Sequence, residues 1–258
     1  MKSISSRDNA LFKHIKALAH SSRERKKAGV ALIEGAHLVA AYLTAHGAPR
    51  TIVASASGQK HREIAALITR CGDAELAIFD DALFNEASSL ETPAGILALI
   101  EAPHAQPVPA DVPACLLLED IQDPGNVGSI LRSAAAAGVR HVLLSKGCAF
   151  AWAPKVLRAA QGAHFLLNIV EGADLVAFAR AFAGQTLALT PRATKTLYDV
   201  DLKQAVALML GNEGTGLSAA LLDTARYNVN IPMPGQTESL NAAAAAAVCL
   251  FEMVRQRR

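Results

Sequence analysis

"LEDIQDPGNVGSILRSAAAAGVRHVLL", Leu118 to Leu144, decides how this chain is read. It reads as strand, loop, helix, strand. The loop carries two glycines and a proline, and Arg132 sits one turn into the helix. Continuous apolar strands joined by helical crossovers imply a parallel sheet covered on both faces. Ligands of such sheets lie outside the carboxyl ends of the strands. The same alternation continues downstream, with strands predicted at Cys115–Glu119, His141–Ser145, Phe165–Val170, Thr186–Thr190, Ala205–Leu210 and Val229–Ile231, and a last helix from about Glu238 to Arg255. The loops that matter therefore follow Glu119, Thr190, Leu210 and Ile231.

Upstream, "EAPHAQPVPADVPA" (Glu101–Ala114) holds four of the eleven prolines. Proline removes donors and stiffens the chain, so this stretch predicts a linker or an extended crossing over 103–113 rather than a packed element. It separates a domain over 1–102 from one over 114–258. Two domains suit 258 residues. The first half also alternates: helix at Asn9–Ser21, strand at Gly29–Gly35, helix at Ala36–Ala45, strand at Arg50–Ser55, helix near Lys60–Arg70, then strands at Glu75–Asp80 and Gly95–Ala102 flanking a short helix. That predicts a small α/β sandwich of about four strands.

Net charge is only +2, but it is unevenly spread. Between Met1 and Val30, eight basic residues face Asp8 and Glu24, a local balance of +6. Arg7, Lys13, Lys16, Arg23, Arg25, Lys26 and Lys27 are the candidates for contact with a polyanion, against the plainer reading of a solvated helix face. Cys71, Cys115, Cys148 and Cys249 are scattered, and the eight histidines show no metal-ligand spacing, so neither a disulfide framework nor a metal site is expected. Polar residues break up the N-terminus, and the longest apolar run, Ala242–Phe251, is too short to cross a bilayer. A cytoplasmic protein is expected.

The common nucleotide motifs are absent. "DPGNVGSILRS" lacks the spacing of a dinucleotide fingerprint, and no P-loop or nucleophile elbow occurs. Three of the four sheet-end loops are nonetheless rich in glycine, proline and polar residues: "QDPGNVGSILR", "LMLGNEGTGLS" (Leu208–Ser218) and "NIPMPGQTESLNAAAAAAV" (Asn230–Val248). Glycines let backbone approach a ligand closely, and Ile231, Met233 and Leu240 can form an apolar wall. Such a pocket fits a purine and a thioether better than a triphosphate.

In these three stretches the sequence closely resembles the SpoU (TrmH-like) family of SPOUT methyltransferases. "KVLRAAQGAHF" (Lys155–Phe165) is similar to the family's intermediate segment, with Ala160 where a serine is common. The first half, including "SRDNALFKHIKAL" and "GVALIEGAHLVAAYL", resembles the L30e-like substrate-binding domain that precedes the catalytic domain in many members. The resemblance implies a parallel-sheet SPOUT domain with a trefoil knot behind a smaller L30e-like α/β sandwich. It also implies S-adenosylmethionine as donor, a ribose 2′-hydroxyl of RNA as acceptor, and a homodimer formed through the C-terminal domain. Ribosomal RNA is favoured over transfer RNA. A non-catalytic RNA-binding or assembly protein that kept the fold is the reading from another class.

By the same resemblance, Thr190, Gly211, Ile231, Met233 and Leu240 form the donor pocket, with core packing as the plainer role for Ile231 and Leu240. Arg132 is the arginine of the first motif. A guanidinium is essentially always protonated, so holding a phosphate and stabilising a developing alkoxide suits it better than proton abstraction. Asn126 can orient that arginine or the ribose, or simply cap the helix. Glu213 can pair with Arg132 or Asn126, or accept the proton. Ser239 and Asn241 match the polar positions of the third motif, with a helix cap as the alternative for Ser239.

Overall fold

The computed structural model describes residues 2–237 and 239–258. The chain divides into two compact units, Met1–His104 with Trp152–Phe165, and Ala105–Ala151 with Leu166–Arg258.

The first unit is built from β1 (Lys2–Ile4), α1 (Ala10–His20), α2 (Ser22–Ala28), β2 (Val30–Glu34), α3 (Ala36–His46), β3 (Thr51–Ser55), α4 (Arg62–Arg70), β4 (Glu75–Phe79), α5 (Asp81–Ala87) and β5 (Ile96–Glu101). Its sheet runs β1-β4-β3-β5-β2. The first three are parallel, and β5 is antiparallel to both its neighbours. Five strands stand where about four were expected. The extra one is β1, a three-residue edge strand with only Ile4 buried, too short to leave a periodic signal. Asn9 starts α1 by accepting from the amides of Leu11 and Phe12, the ordinary use of an Asn side chain at a helix N-terminus. The helix then turns Phe12, Ile15 and Leu18 into a core shared with Phe79, Phe84 and Leu97.

Arg25 departs from its expected place. It is 5% exposed, and its guanidinium donates to the backbone carbonyls of Leu18 and Ala19 near the end of α1. Those are the carbonyls a helix terminus leaves without intrahelical partners. Arg25 therefore joins α2 to α1 and is not available to RNA.

The second half contains β6 (Ala114–Leu118), α6 (Pro124–Ala136), β7 (His141–Leu144), α7 (Pro154–Ala160), β8 (Asn168–Glu171), α8 (Leu175–Ala181), β9 (Gln185–Leu189), β10 (Lys195–Thr196), β11 (Val206–Leu210), α9 (Ala219–Leu222), β12 (Tyr227–Asn230) and α10 (Ala242–Gln256). The seven strands run β10-β12-β9-β11-β6-β7-β8, and every pairing is parallel. From β6 the chain moves outward through β7 and β8, then crosses back to β9 on the far side of β11. The reversal makes the β6–β11 boundary a topological switch point, where open α/β sheets place ligands. The last helix starts at Ala242, later than expected; Glu238, its expected first residue, lies outside the described residues.

Two expectations about domain limits change. The proline-rich 103–113 forms no helix or strand, as an extended crossing would, and 103–107 are exposed, but from Val108 onward the stretch packs. Val112 is buried and Val108 partly buried against the core of the second unit, and the Ala110 carbonyl accepts from Ala183 N–H at 2.8 Å. Proline denies this stretch a regular ladder, but its valines still pack. The second change is that 152–165, expected within a continuous C-terminal domain, belongs to the first unit. There Phe165 meets Tyr42 and His46 edge-on, at 5.3 and 5.8 Å between ring centroids. Ala160 is fully covered, at 1% exposed, so a side chain without a hydroxyl suits its site.

Replacing Arg25 by Met keeps the buried stem but leaves the two carbonyls without their donor. Urea denaturation should show a loss of about 1–3 kcal/mol, with RNA affinity unchanged for the folded protein. Unaltered stability would show that the buried guanidinium does not hold α1 to α2.

Candidate active site

Four adjacent strands, β12, β9, β11 and β6, deliver the loops singled out by the sequence. All leave the sheet at the same end because the strands are parallel. The loop after β6 becomes α6 at once. Asp123 caps the helix, accepting from Asn126 N–H at 2.8 Å, and Pro124 stands in the first turn, where its missing N–H costs nothing. Asn126 is therefore not the cap, and its side chain is free for other work. Val127, Ile130, Leu131 and Ala134 form the buried face, which leaves Arg132 on the exposed one.

Asn126 Nδ2 donates to Glu213 Oε1 at 2.7 Å, and Asn126 Oδ1 accepts from Asn241 Nδ2 at 2.8 Å. Asn241 Oδ1 meanwhile accepts from the amides of Ala243 and Ala244 and starts α10. Three residues distant in sequence thus form one ordered chain, Glu213–Asn126–Asn241. Glu213 pairs with Asn126 and not with Arg132. The Arg132 side chain makes no hydrogen bond or ion pair to any described residue, and only its backbone is engaged, in α6. Ser239 is exposed, precedes the helix and is not its cap.

The Glu213 loop is closely braced. An added Cβ on Gly211 would lie 2.3 Å from the Gly216 carbonyl carbon and the Leu217 nitrogen, so the loop folds onto a bare backbone there. Asn212 Oδ1 accepts from Gly214 and Thr215 N–H at 2.8 and 3.0 Å, and its Nδ2 donates to the Asp120 carbonyl at 2.8 Å. Glu119 accepts from both the N–H and the hydroxyl of Ser218 at 2.7 Å. Asp120, Asn212, Glu119 and Ser218 were not singled out from the sequence. The Asn between small residues in "GNEG" was the available signal, since Asn readily bonds the backbone two residues on.

Of the expected donor-pocket residues, Thr190 follows β9 and ties it to β12 through its N–H to the Val229 carbonyl at 2.9 Å. Ile231 and Met233 are half-buried, and Leu240 is 40% exposed. None of these three side chains is consumed by core packing, so apolar side chains stay available after β12, one strand (β9) away from β11 and its Gly211 loop.

The basic N-terminal residues divide by environment. Arg7 and Lys16 both bind Glu86, and their hydrogen bonds hold its carboxyl at about 2, well below the usual range. Lys13 pairs with Asp8 at 2.9 Å. Arg23, Lys26 and Lys27 lie exposed on α2. Among the described residues no helix is long and apolar enough to cross a membrane, and no group of three metal-ligating side chains comes together.

Known proteins resemble the chain along nearly its whole length. The profile of the SpoU rRNA Methylase family matches residues 113–251, and that of the MRM3-like substrate binding domain matches 9–98. The 23S rRNA (guanosine(2553)-2'-O)-methyltransferase RlmP of Bacillus subtilis is 32% identical over 98% of this chain and 99% of its own. The 23S rRNA (uridine(2479)-2'-O)-methyltransferase of Streptomyces viridochromogenes is 33% identical over 96% of this chain and 91% of its own. The crystal structure of the SpoU methyltransferase AviRb from Streptomyces viridochromogenes in complex with AdoMet superposes with a TM-score of 0.85 at 30% identity, covering 96% of this chain and 98% of that one. With the profile spanning more than half its length and full-length relatives above 30% identity, the chain belongs to the SpoU rRNA methylase family.

Proposed function

We propose that this chain transfers the methyl group of S-adenosylmethionine to a ribose 2′-hydroxyl of ribosomal RNA, with 23S rRNA as the favoured substrate. The observation that carries the reading is the Glu213–Asn126–Asn241 chain at the switch point of the sheet in a SpoU-family protein. The 23S rRNA 2′-O specificity in the names of two full-length relatives supports the substrate.

The loops fit the donor. Ile231, Met233 and Leu240 offer apolar side chains not used by the core, and Thr190 and Gly211 offer backbone at the ends of neighbouring strands. S-adenosylmethionine supplies a methyl group activated by a sulfonium. What the chain adds is mostly placement of the acceptor hydroxyl. Arg132, exposed and without a partner among the described residues, holds the target phosphate and stabilises charge developing on the ribose oxygen. Asn126 orients the ribose. Glu213 has one carboxylate oxygen on Asn126, which leaves the other to accept the hydroxyl proton. Ser239 and Asn241 complete the polar edge.

In this reading the first unit places the RNA, with Arg23, Lys26 and Lys27 as the phosphate-facing set. The second unit carries the trefoil knot and the homodimer interface, and the protein works in the cytoplasm, where its substrate would lie. Phe251, 49% exposed on α10, supports an interface on that helix.

Purified protein with radiolabelled S-adenosylmethionine should label 23S rRNA at a 2′-hydroxyl, and label confined to transfer RNA, or none, would refute the substrate. Arg132→Ala should reduce turnover by roughly 10²–10³-fold with donor affinity within a few-fold by calorimetry; wild-type turnover would remove Arg132 from the mechanism. Changing Arg23, Lys26 and Lys27 together to Glu should weaken RNA binding and flatten its salt dependence, because each lost phosphate contact reduces the slope. An unchanged slope across a salt series would place the RNA elsewhere.

A further inference from the structure

Asp120 is one of two described non-glycine residues with positive φ, at 54°. Asp adopts this left-handed conformation more readily than most residues, yet it is still uncommon and needs support from its surroundings. The support is explicit. Asp120 N–H donates to Ser145 Oγ at 2.9 Å, and that hydroxyl donates to Asp120 Oδ1 at 2.5 Å. Gly147 passes so close that an added Cβ would lie 2.2 Å from Asp120 Oδ1. Ser145 and Gly147 follow β7, and Asp120 follows β6, so two adjacent strand ends cooperate to hold one backbone turn.

The turn's outward product is the Asp120 carbonyl, which receives Asn212 Nδ2 at 2.8 Å. Fixing that amide points Asn212 Oδ1 at the N–H groups of Gly214 and Thr215. Glu213 lies between the residues so bound, and its carboxylate meets Asn126. No other residue pair links the turn after β6 to the Asn212 amide among the described hydrogen bonds. A normal right-handed or extended backbone at 120 would aim its carbonyl elsewhere and leave Asn212 without an acceptor.

We infer that Asp120 is a positioning residue for methyl transfer: its left-handed turn, locked by Ser145, aims the carbonyl that sets Asn212 and thereby Glu213. The inference rests on the proposed methyltransferase reading for its kinetic consequence, but its structural consequence stands apart from it. Asp120 touches neither the donor nor the acceptor in this scheme. A displacement of about 1 Å in a reacting site can cost as much as 100-fold, so a turn outside the site can control its rate.

The test is a double-mutant cycle on the full chain with Asp120→Ala, Asn212→Ala and the double variant, alongside Asp120→Asn. Two readouts are needed. Hydrogen exchange at the Gly214 and Thr215 amides should accelerate at least tenfold in Asp120→Ala and stay near wild type in Asp120→Asn, which tolerates the left-handed turn and keeps an acceptor for Ser145. Methylation kcat should fall about 10- to 100-fold in each alanine variant, with no further fall in the double variant because both act on one linkage. KM for RNA should stay within about threefold, since the phosphate-facing residues are untouched. Additive losses, or unchanged exchange in Asp120→Ala, would overturn the inference. Absence of methylation in the wild type would refute the functional reading, while the exchange measurement would still decide the role of Asp120. Should Asp120→Ala fail to fold, Ser145→Ala removes the lock while keeping Asp120, and unchanged exchange there would equally overturn it.

Discussion

The side-chain amide of Asn126 has one acceptor oxygen and one donor nitrogen, and the site uses both. Its oxygen receives Asn241, and its nitrogen binds Glu213. The direction of those bonds fixes the amide orientation, because a flipped amide would set two donors against each other at Asn241. Each bond is exposed and contributes little to stability, of order 1 kcal/mol. Its value is in registration. One amide sets the start of α6, the loop after β11 and the start of α10 relative to one another. Everything that keeps the site in shape serves that junction: Asp123 holds the first turn of α6, Asn212 and Gly211 shape the Glu213 loop, and α10 packs along α6.

That last packing explains the alanine run. Ala245 and Ala246 are buried in α10, beside Cys249, Leu250 and Met253. Small side chains let two helices approach closely, which the Asn241–Asn126 hydrogen bond at their starts requires. Behind them stands an all-parallel sheet whose central strands are wholly buried. Parallel strands send every carboxyl end the same way, so loops far apart in sequence converge at one edge. The return of the chain past β6 to β9 then opens the crevice between β6 and β11.

Charge is distributed by a different logic. Counting basic residues treats them alike, whereas their surroundings separate them. Arg25 and Arg257 act as fasteners for backbone carbonyls: Arg257 reaches those of Pro113, Leu202 and Gln204 at the end of α10. Arg7 and Lys16 share Glu86, and Arg255 holds Glu252. Within Met1–Val30, Arg23 and Lys27 stay exposed on α2, so the +6 balance of that segment overstates what it offers a polyanion. Arginine serves the fastening role well because its planar fork offers several donors at once.

By itself the sequence determined the alternation of strands and helices, the parallel second sheet, the family, and three loops of the site. The alternation, the sheet and the loops follow from local chemistry (apolar runs, helix starts such as Asn9, and glycine where backbone must pass close), whereas the family follows from the resemblance of whole motifs. Asn126, Glu213 and Asn241 were legible as polar residues in those loops, but not as one hydrogen-bonded chain, since partners 87 and 115 residues away from Asn126 leave no local pattern. The tertiary structure alone decided that Asn126 is not a cap, that Arg25 faces inward, that Val108 and Val112 pack, and that 152–165 joins the first unit. It also revealed Asp120, whose left-handed turn is invisible in a residue that elsewhere adopts ordinary backbone. In each case the deciding force was a contact with a distant element, which burial and hydrogen-bond satisfaction select only once the whole chain has folded.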